Sequence, residues 1–311
     1  MKKLLALILT TFMLLSFVAC DVETPLDKND NNSSQNQTNN SIESNDQNNN
    51  NENKNENKNE ITFSGLVAVD NAECIIKITE IDPDNLWGYT LKVQLENKST
   101  DKTYMFSVES AAINGVQCDP FFATEVAAGK KSNNEISFTK SELDDSGIKN
   151  YTDIELTFRV YDTNDWMADD VAKETIHIYP YGEDKVVKYV RTPQASDNII
   201  VDNEYITVVV TGYEDDPIWG YTAKLFLLNK TDKNVMFSVD DASVNGYMAD
   251  PFFAKSVSAG KCAFSSMSWS NTTLEENGIT VIEEIEFNLR VYDEDNWFAD
   301  DLANQTVTLT P

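Results

Sequence analysis

The chain has 311 residues and a formal net charge of −28 at neutral pH, with 52 acidic residues against 24 basic ones. A surface this acidic repels the phosphates of nucleic acids and anionic lipid headgroups, so we exclude both as expected ligands, whereas cationic ligands and divalent metals are favoured. The chain has one histidine, which excludes a zinc site built from several imidazoles.

The first residues are typical of a secretory signal. Two lysines precede an apolar run that ends just before Ala19 and Cys20. A basic start, an apolar stretch of about 15 residues and a small residue at the cleavage site predict a signal peptide over residues 1–19. The stretch SFVAC resembles the bacterial lipobox, although Phe17 stands where leucine is usual. Cys20 is therefore the predicted lipidation site, and an ordinary signal peptide is the alternative.

Residues 20–60 are predicted to be the lipidated cysteine followed by a disordered tether. Asparagine makes up 15 of residues 21–60, and none of them is aromatic. Such a stretch cannot bury enough apolar surface to offset the entropy of ordering it. We therefore expect a protein that a lipid anchors to the outer face of a bacterial membrane. The asparagine- and lysine-rich composition of the tether favours a Gram-positive source.

The rest of the chain is an internal duplication. The segment DNLWGYTLKVQLENK at residues 84–98 returns as DPIWGYTAKLFLLNK at residues 216–230, and IELTFRVYD at 154–162 returns as IEFNLRVYD at 285–293. A period of about 130 residues corresponds to one globular domain. We predict a first repeat over residues 61–180, a linker over 181–197 and a second repeat over 198–311.

Each repeat has the pattern of an antiparallel β-sandwich. IELTFRV alternates apolar and polar residues, which predicts strands with one buried face. Asn114 with Gly115, and Asn245 with Gly246, predict type I′ hairpins. Short helices are predicted at 141–148 and 272–279, because each stretch has a Ser or Thr cap, an acidic residue and a glycine stop. The predicted fold class is all-β, with two tandem sandwich domains after the tether.

These strand patterns also carry a resemblance. The strand ending in LENK, the turns VAAGK and VSAGK, the short acidic helix and the strand IELTFRVYD resemble the telokin-like, immunoglobulin-like domains of Gram-positive surface lipoproteins. The resemblance covers both repeats and implies an immunoglobulin-like fold and a surface location. It implies no functional residue.

Three cysteines remain after Cys20, namely Cys74, Cys118 and Cys262. An odd number in a secreted chain leaves at least one thiol without a disulfide partner. Each lies in an apolar, strand-like run, so we predict small buried side chains. A disulfide between Cys74 and Cys118 is the alternative.

The sequence offers little for catalysis. Any triad would depend on His177, whose counterpart in the second repeat is Thr308, and no nucleophile elbow or phosphate loop is present. His177 shares a strand face with Thr175 and Tyr179, which favours a surface or edge position. We therefore predict a binding protein without catalysis and without a required cofactor. Its expected partners are the membrane, through the lipid, and an envelope or extracellular protein or glycan.

Two acidic loops, YDTNDWMADD and YDEDNWFADD, follow matching strands. Carboxylate and amide oxygens could bind calcium, although Trp166 and Trp297 break the EF-hand pattern. The other interpretations are a turn whose tryptophan covers the open end of the core, and a hydrolase that uses Asp169 and Asp170. The candidate calcium ligands are Asp162, Asp165, Asp169, Asp170, Asp293, Asp295, Asp300 and Asp301.

Aromatic residues before the first matching strands allow a carbohydrate platform. The alternation of apolar and polar residues instead predicts that these aromatic side chains pack in the core. The two DPFF stretches are also predicted to bury their phenylalanines. The residues concerned are Trp87, Tyr89, Trp219 and Tyr221.

One difference between the repeats predicts an interface. The second repeat has Phe226 and Leu228 on the outer face of a strand, where the first has Gln94 and Glu96. Exposed apolar pairs on a sheet often mark contact surfaces. We predict that Phe226 and Leu228 pack against the other repeat, the linker or a partner.

Overall fold

The computed structural model describes residues 60–139, 144–296 and 298–311, and strands dominate these ranges. The predicted signal peptide, Cys20, the tether up to residue 59, the start of the first predicted helix and Trp297 lie outside the described residues. The protein is all-β, as the alternation predicted. In the described ranges, no helix is long and apolar enough to cross a bilayer.

The first repeat contributes β1 to β9. They are β1 (Leu66–Asp70), β2 (Cys74–Asn85), β3 (Gly88–Asn97), β4 (Tyr104–Ile113), β5 (Val116–Cys118), β6 (Ala123–Val126), β7 (Lys131–Phe138), β8 (Ile154–Asp162) and β9 (Ala172–Ile178). One sheet has the order β1-β2-β3-β7. The facing strands run β5-β4-β8-β9, with β6 also on β4.

The second repeat contributes β10 to β18 in the matching arrangement. They are β10 (Asn198–Asp202), β11 (Ile206–Asp216), β12 (Gly220–Asn229), β13 (Val235–Val244), β14 (Tyr247–Met248), β15 (Ala254–Val257), β16 (Cys262–Trp269), β17 (Ile285–Asp293) and β18 (Ala303–Leu309). The order β10-β11-β12-β16 continues into β5-β4-β8-β9 of the first repeat. A second sheet has the order β14-β13-β17-β18.

Both cores follow the predicted period of two. In β8, Ile154, Leu156, Phe158 and Val160 are fully buried and alternate with half-buried polar residues. Each residue on the inner face of such a strand packs against the facing sheet, which gives one apolar cluster in each repeat.

The predicted hairpin turns are confirmed. Asn114 and Gly115 have φ values of 55° and 89°, and Asn245 and Gly246 have 50° and 80°. Two consecutive positive φ values are the requirement of a type I′ turn, and asparagine and glycine tolerate them best.

Helix is scarce, but its position differs slightly from the prediction. Helix α1 (Asn271–Glu276) is capped by Ser270, whose hydroxyl accepts the N–H of Thr273. Thr272 therefore lies inside the helix rather than at its cap, because Ser270 is the last extended residue after β16. In the first repeat, residues 144–146 form a single 3-10 turn.

The two repeats meet edge to edge between β5 and β16. These strands pair in parallel at Val116 and Cys262, and the Cys262 N–H donates to the carbonyl of Gly115 at 3.1 Å. The Gln117 amide adds a second attachment. Its Nε2 donates to the Ser256 carbonyl at 2.9 Å, and its Oε1 accepts the N–H of Ser258 at 2.8 Å. A side-chain amide thus extends the strand pairing across the junction.

The three described cysteines confirm the prediction of buried side chains. Cys74, Cys118 and Cys262 form no disulfide within the described residues. Burial raises the pKa of Cys74 and of Cys262 to about 11, so both thiols stay protonated near neutral pH.

Candidate functional site

The first acidic loop is held by cations of its own repeat. The Oδ2 of Asp162 lies 3.4 Å from the Lys102 ammonium, and the Arg159 guanidinium donates to Asp170 at 2.8 Å. The Asn164 N–H donates to the Oδ1 of Asp162, and this bond, followed by Lys102, lowers the pKa of the Asp162 carboxyl. Two of its four predicted calcium ligands are therefore already paired.

The second loop repeats the arrangement. Lys233 donates to Asp293 at 2.6 Å, and Arg290 donates to Asp301 at 3.1 Å. These bonds lower the pKa of both carboxyls. Across the residues that the structure describes, no three acidic, histidine or cysteine side chains gather as a metal site would require. This arrangement lends no geometric support to Asp165, Asp169, Asp295 and Asp300 as ligands, and the calcium site stays a prediction.

For Trp166, the interpretation of the loop tryptophan as a cover for the core is wrong, and Trp297 lies outside the described residues. Trp166 is 67% exposed, Met167 is exposed, and Phe298 is fully exposed in the second loop. Val171, after the first loop, is half-buried and packs against the core cluster. Its N–H donates to the Val160 carbonyl, and its own carbonyl accepts the Asn71 amide. The turn started by Asp162 therefore directs the loop tip into solvent.

The prediction that Trp87 and Trp219 pack in the core is also wrong, since they are 69% and 56% exposed. Each precedes a glycine with positive φ, and a Cβ on Gly220 would lie 2.2 Å from the carbonyl oxygen of Trp269. The buried alternation therefore starts at the glycine and does not reach the tryptophan. Trp269 occupies the core, with its Nε1–H donating to the carbonyl of Ala249.

Tyr89 and Tyr221 lie between these extremes, because both are half-buried and pack against the core clusters. The DPFF prediction holds for one phenylalanine in each pair. Phe122 is buried and Phe253 half-buried, but Phe121 and Phe252 are exposed. The sequence alternates poorly here, because each DPFF stretch lies outside the regular strands.

Two of these exposed rings meet in the second repeat. The Trp219 and Phe252 centroids are 6.3 Å apart, with their planes at 68°. They border a cavity of 260 Å³, which we name the aromatic pocket. Its lining is Glu214, Asp216, Trp219, Thr222, Phe252, Ser266 and Ser268.

The polar groups of the aromatic pocket are well defined. The Oδ1 of Asp216 accepts the N–H groups of Ile218 and Trp219 at 2.7 and 2.8 Å, which lowers the pKa of this carboxyl. Glu214 accepts a hydrogen bond from Lys224 at 2.8 Å. The arrangement combines aromatic faces with the carboxylate of Asp216. The repeated WG and DPFF stretches were the sequence signal for the aromatic pocket. The alternation of apolar and polar residues, however, predicted that these aromatic side chains are buried.

A second cavity, of 590 Å³, lies between the repeats and is strongly polar. Two ion pairs line it: Lys173 with Glu109 within the first repeat, and Lys255 of the second repeat with Asp119 of the first. Gln117 also lines it. Sequence reasoning missed this cleft, because it depends on the pairing of β5 with a strand far along the chain.

His177 lies on the edge strand β9, as predicted, and joins a network of polar and charged side chains between the repeats. Its Nδ1 is 2.8 Å from Asp153, and its Nε2 is 3.4 Å from Glu155. Lys261 of the second repeat donates to the same Glu155 at 2.6 Å. The ring stacks on Tyr179. This network connects the repeats electrostatically.

Phe226 and Leu228 lie at the same junction. Phe226 is 7% exposed and belongs to the apolar cluster of the first repeat, and Leu228 packs against that cluster. The Phe226 ring is 5.4 Å from that of Phe264, and the Arg191 guanidinium of the linker lies 5.3 Å above it. The outer face of β12 is therefore covered by the linker and the first repeat.

No protein-family model and no curated protein matches the chain. Solved structures give weak similarities. The YadV chaperone aligns with 12% identity and a TM-score of 0.24, covering 76% of this chain and all of that one. Red sea bream transglutaminase aligns with 11% identity and a TM-score of 0.22, covering 74% and 31%. A protein of unknown function from Porphyromonas gingivalis W83 aligns with 11% identity and a TM-score of 0.20, covering 79% and 98%.

Proposed function

We propose that the chain is a non-catalytic binding protein, lipid-anchored outside the cell, whose two immunoglobulin-like repeats present loop tips to an envelope ligand. The stretch SFVAC and the asparagine-rich segment support the anchor and the tether. The duplication and the all-β sheets support two sandwich domains. The ligand is a protein or glycan of the envelope or the extracellular space.

The exposure of adjacent large apolar residues at loop tips carries this proposal. Leu86 with Trp87 and Ile218 with Trp219 are exposed, as are Trp166 and Met167. Single exposed apolar residues are ordinary, but adjacent ones on a small domain are typical of contact surfaces. Other residues fill the cores, so we expect these side chains to add little to the stability of the repeats.

A glycan ligand is the second candidate, because the exposed indoles of Trp87 and Trp219 could stack on sugar rings. A calcium-dependent module and a carboxylate-dependent hydrolase are the remaining alternatives. Calcium at 100 times its dissociation constant would add about 2.7 kcal/mol to the free energy of unfolding. An unchanged melting temperature at millimolar calcium would remove the calcium alternative.

The anchor is tested by feeding cells an alkyne-labelled fatty acid and following the chain. The wild-type chain should incorporate the label and sediment with membranes, and Cys20→Ala should lose the label. Cys262→Ala is the matched control and should remain labelled. An unlabelled wild-type chain would contradict lipid anchoring.

The binding function is tested with the full chain in a non-ionic detergent and washed cell envelopes. We expect saturable binding that weakens about tenfold, or 1.4 kcal/mol, when Trp87→Ala and Trp219→Ala are combined. Val190→Ala, which alters an exposed linker residue, should bind like wild type. The proposal would be contradicted if the wild-type chain did not bind, or if the double tryptophan variant bound as tightly as the wild-type chain.

A further inference from the structure

We propose that the aromatic pocket of the second repeat binds an alkylammonium group, such as a quaternary ammonium or a lysine-like amine. The inference rests on the proposed binding function and gives the chemical class of one ligand. It concerns a site formed by the side chains of Trp219, Phe252, Asp216 and Glu214.

The two rings form adjoining walls. Trp219 and Phe252 are both more than half exposed, and their planes meet at 68° with 6.3 Å between centroids. An ammonium group within about 6 Å of a ring centroid is attracted to the negative face of the ring, and tryptophan gives the strongest attraction. The methyl groups of an alkylammonium ion also gain by covering apolar ring surface.

The Asp216 carboxylate supplies the opposite charge. The Oδ1 of Asp216 is used by two backbone N–H groups, and its Oδ2 has no hydrogen-bond partner among the described residues. Those N–H bonds also favour the ionised form of the carboxyl. Glu214 is already paired with the ammonium group of Lys224 at 2.8 Å, so Asp216 is the carboxylate available to a cationic ligand.

Charge and size separate an alkylammonium group from other ligands. The chain carries a net charge of −28, which attracts cations and repels anions, while a neutral sugar gains nothing from this field. The cavity measures 260 Å³, slightly below the range of about 300–1,000 Å³ for drug-sized ligands. It therefore suits a small headgroup.

The first repeat offers a matched control. Trp87 and Phe121 occupy the equivalent positions and are exposed, but within the described ranges their rings make no contact with each other. Asn85, rather than an aspartate, accepts the N–H of Trp87. The first repeat thus has an exposed indole without the second wall and without the same carboxylate.

The test uses the ¹⁵N-labelled full chain in polyoxyethylene micelles, which contain neither ammonium nor sugar. Tetramethylammonium chloride is titrated at constant ionic strength while indole N–H resonances are recorded, with Trp219→Phe and Trp87→Phe providing the assignments. We expect a saturable shift of the Trp219 resonance with a millimolar dissociation constant, and a Trp87 resonance that does not move.

Asp216→Asn keeps the oxygen that accepts both backbone N–H groups and removes the charge, so it should weaken binding about tenfold without disturbing the turn. The proposal is overturned by any of three results: no saturable shift, equal shifts of Trp87 and Trp219, or the same shift with neutral tert-butanol. A shift with methyl glucoside and none with tetramethylammonium would assign a sugar site instead. Envelope binding that persists after such a result would leave the proposed function standing.

Discussion

The two repeats have the same arrangement of strands, but they differ in the residues at the edges of their sheets. The residue after the Asn-Gly turn is Val116 in the first repeat, 1% exposed beside β16, and Tyr247 in the second, 53% exposed. At the start of the partner strand, the buried Cys262 corresponds to the exposed Lys131. Charged residues are a common way to protect a free sheet edge from unwanted pairing. Buried apolar residues therefore lie where β5 pairs with β16, whereas an exposed lysine starts β7 at the free edge of the first repeat.

The difference extends over the face beside that edge. Phe226 and Phe264 of the second repeat contact the linker, where the first repeat has Gln94 and Asn133. A few apolar replacements thus distinguish a docked face from a solvated one. The following experiments test that distinction.

The largest expected effect lies in the cores, where the repeats should behave alike. Trp269→Ala and Phe138→Ala each remove a fully buried ring and should lower the free energy of unfolding by about 3–5 kcal/mol. Trp219→Ala should change it by less than about 0.5 kcal/mol. Urea denaturation of the full chain measures all three. A similar loss for Trp219 and Trp269 would refute the assignment of Trp219 to the surface.

The docked face should show the sharpest difference between the repeats. Phe226→Ala removes a ring buried against the first repeat and should cost about 2–4 kcal/mol in unfolding free energy. Gln94→Ala at the equivalent half-buried polar position of the first repeat should cost less than about 0.5 kcal/mol. Equal losses in urea denaturation would mean that burial of β12 by the linker contributes nothing.

The linker itself should confer acid sensitivity. Arg191 donates two hydrogen bonds to Asp197, and these, with the N–H of Gln194, lower the pKa of Asp197 to about 2. Because the pKa falls on folding, this carboxylate stabilises the protein above pH 4, and the contribution is lost as the pH falls towards 2. We expect a loss of about 1 kcal/mol after solvent screening, measured by urea denaturation at pH 5 and pH 2.5. Asp197→Asn should remove that part of the pH dependence, and an unchanged profile would contradict it.

The smallest effect concerns the ion pair across the junction. Lys261→Ala breaks the bond to Glu155 and should cost about 0.5–1 kcal/mol, whereas Lys130→Ala, its exposed counterpart, should cost almost nothing. Iodoacetamide labelling of Cys262, followed by peptide mass spectrometry, reports opening of the junction. Faster labelling is expected in Lys261→Ala alone. Equal rates in both variants would argue against a role for this ion pair.

The sequence predicted what depends on neighbours in the chain. Alternation located the buried face of β8, and asparagine with glycine located the hairpins, because strands and tight turns obey local rules. Alternation failed at Trp87 and Trp219, where a glycine with positive φ interrupts the strand. Loop orientation failed at Trp166, because Val171, not Trp166, packs against the core and is held there by Asn71, 100 positions earlier in the chain.

The candidate site was harder to predict than the fold. WG and DPFF are separated by about 30 residues, and only packing brings Trp219 and Phe252 together. Gln117 has the sequence context of an ordinary polar strand residue. Its two hydrogen bonds, to Ser256 of β15 and to Ser258, depend on how the two repeats dock. Such contacts require the register between distant strands, which no local pattern contains.

The pairing of β5 with β16 has a consequence for the order of folding. Gly115 and Cys262 are 147 positions apart, so their contact closes a much longer loop than any hairpin within a repeat. Loop closure over such a distance is entropically unfavourable until both partners are preformed. We therefore expect each repeat to fold first and the sheet to become continuous last. Until the second repeat has folded, β5 would therefore present an open sheet edge.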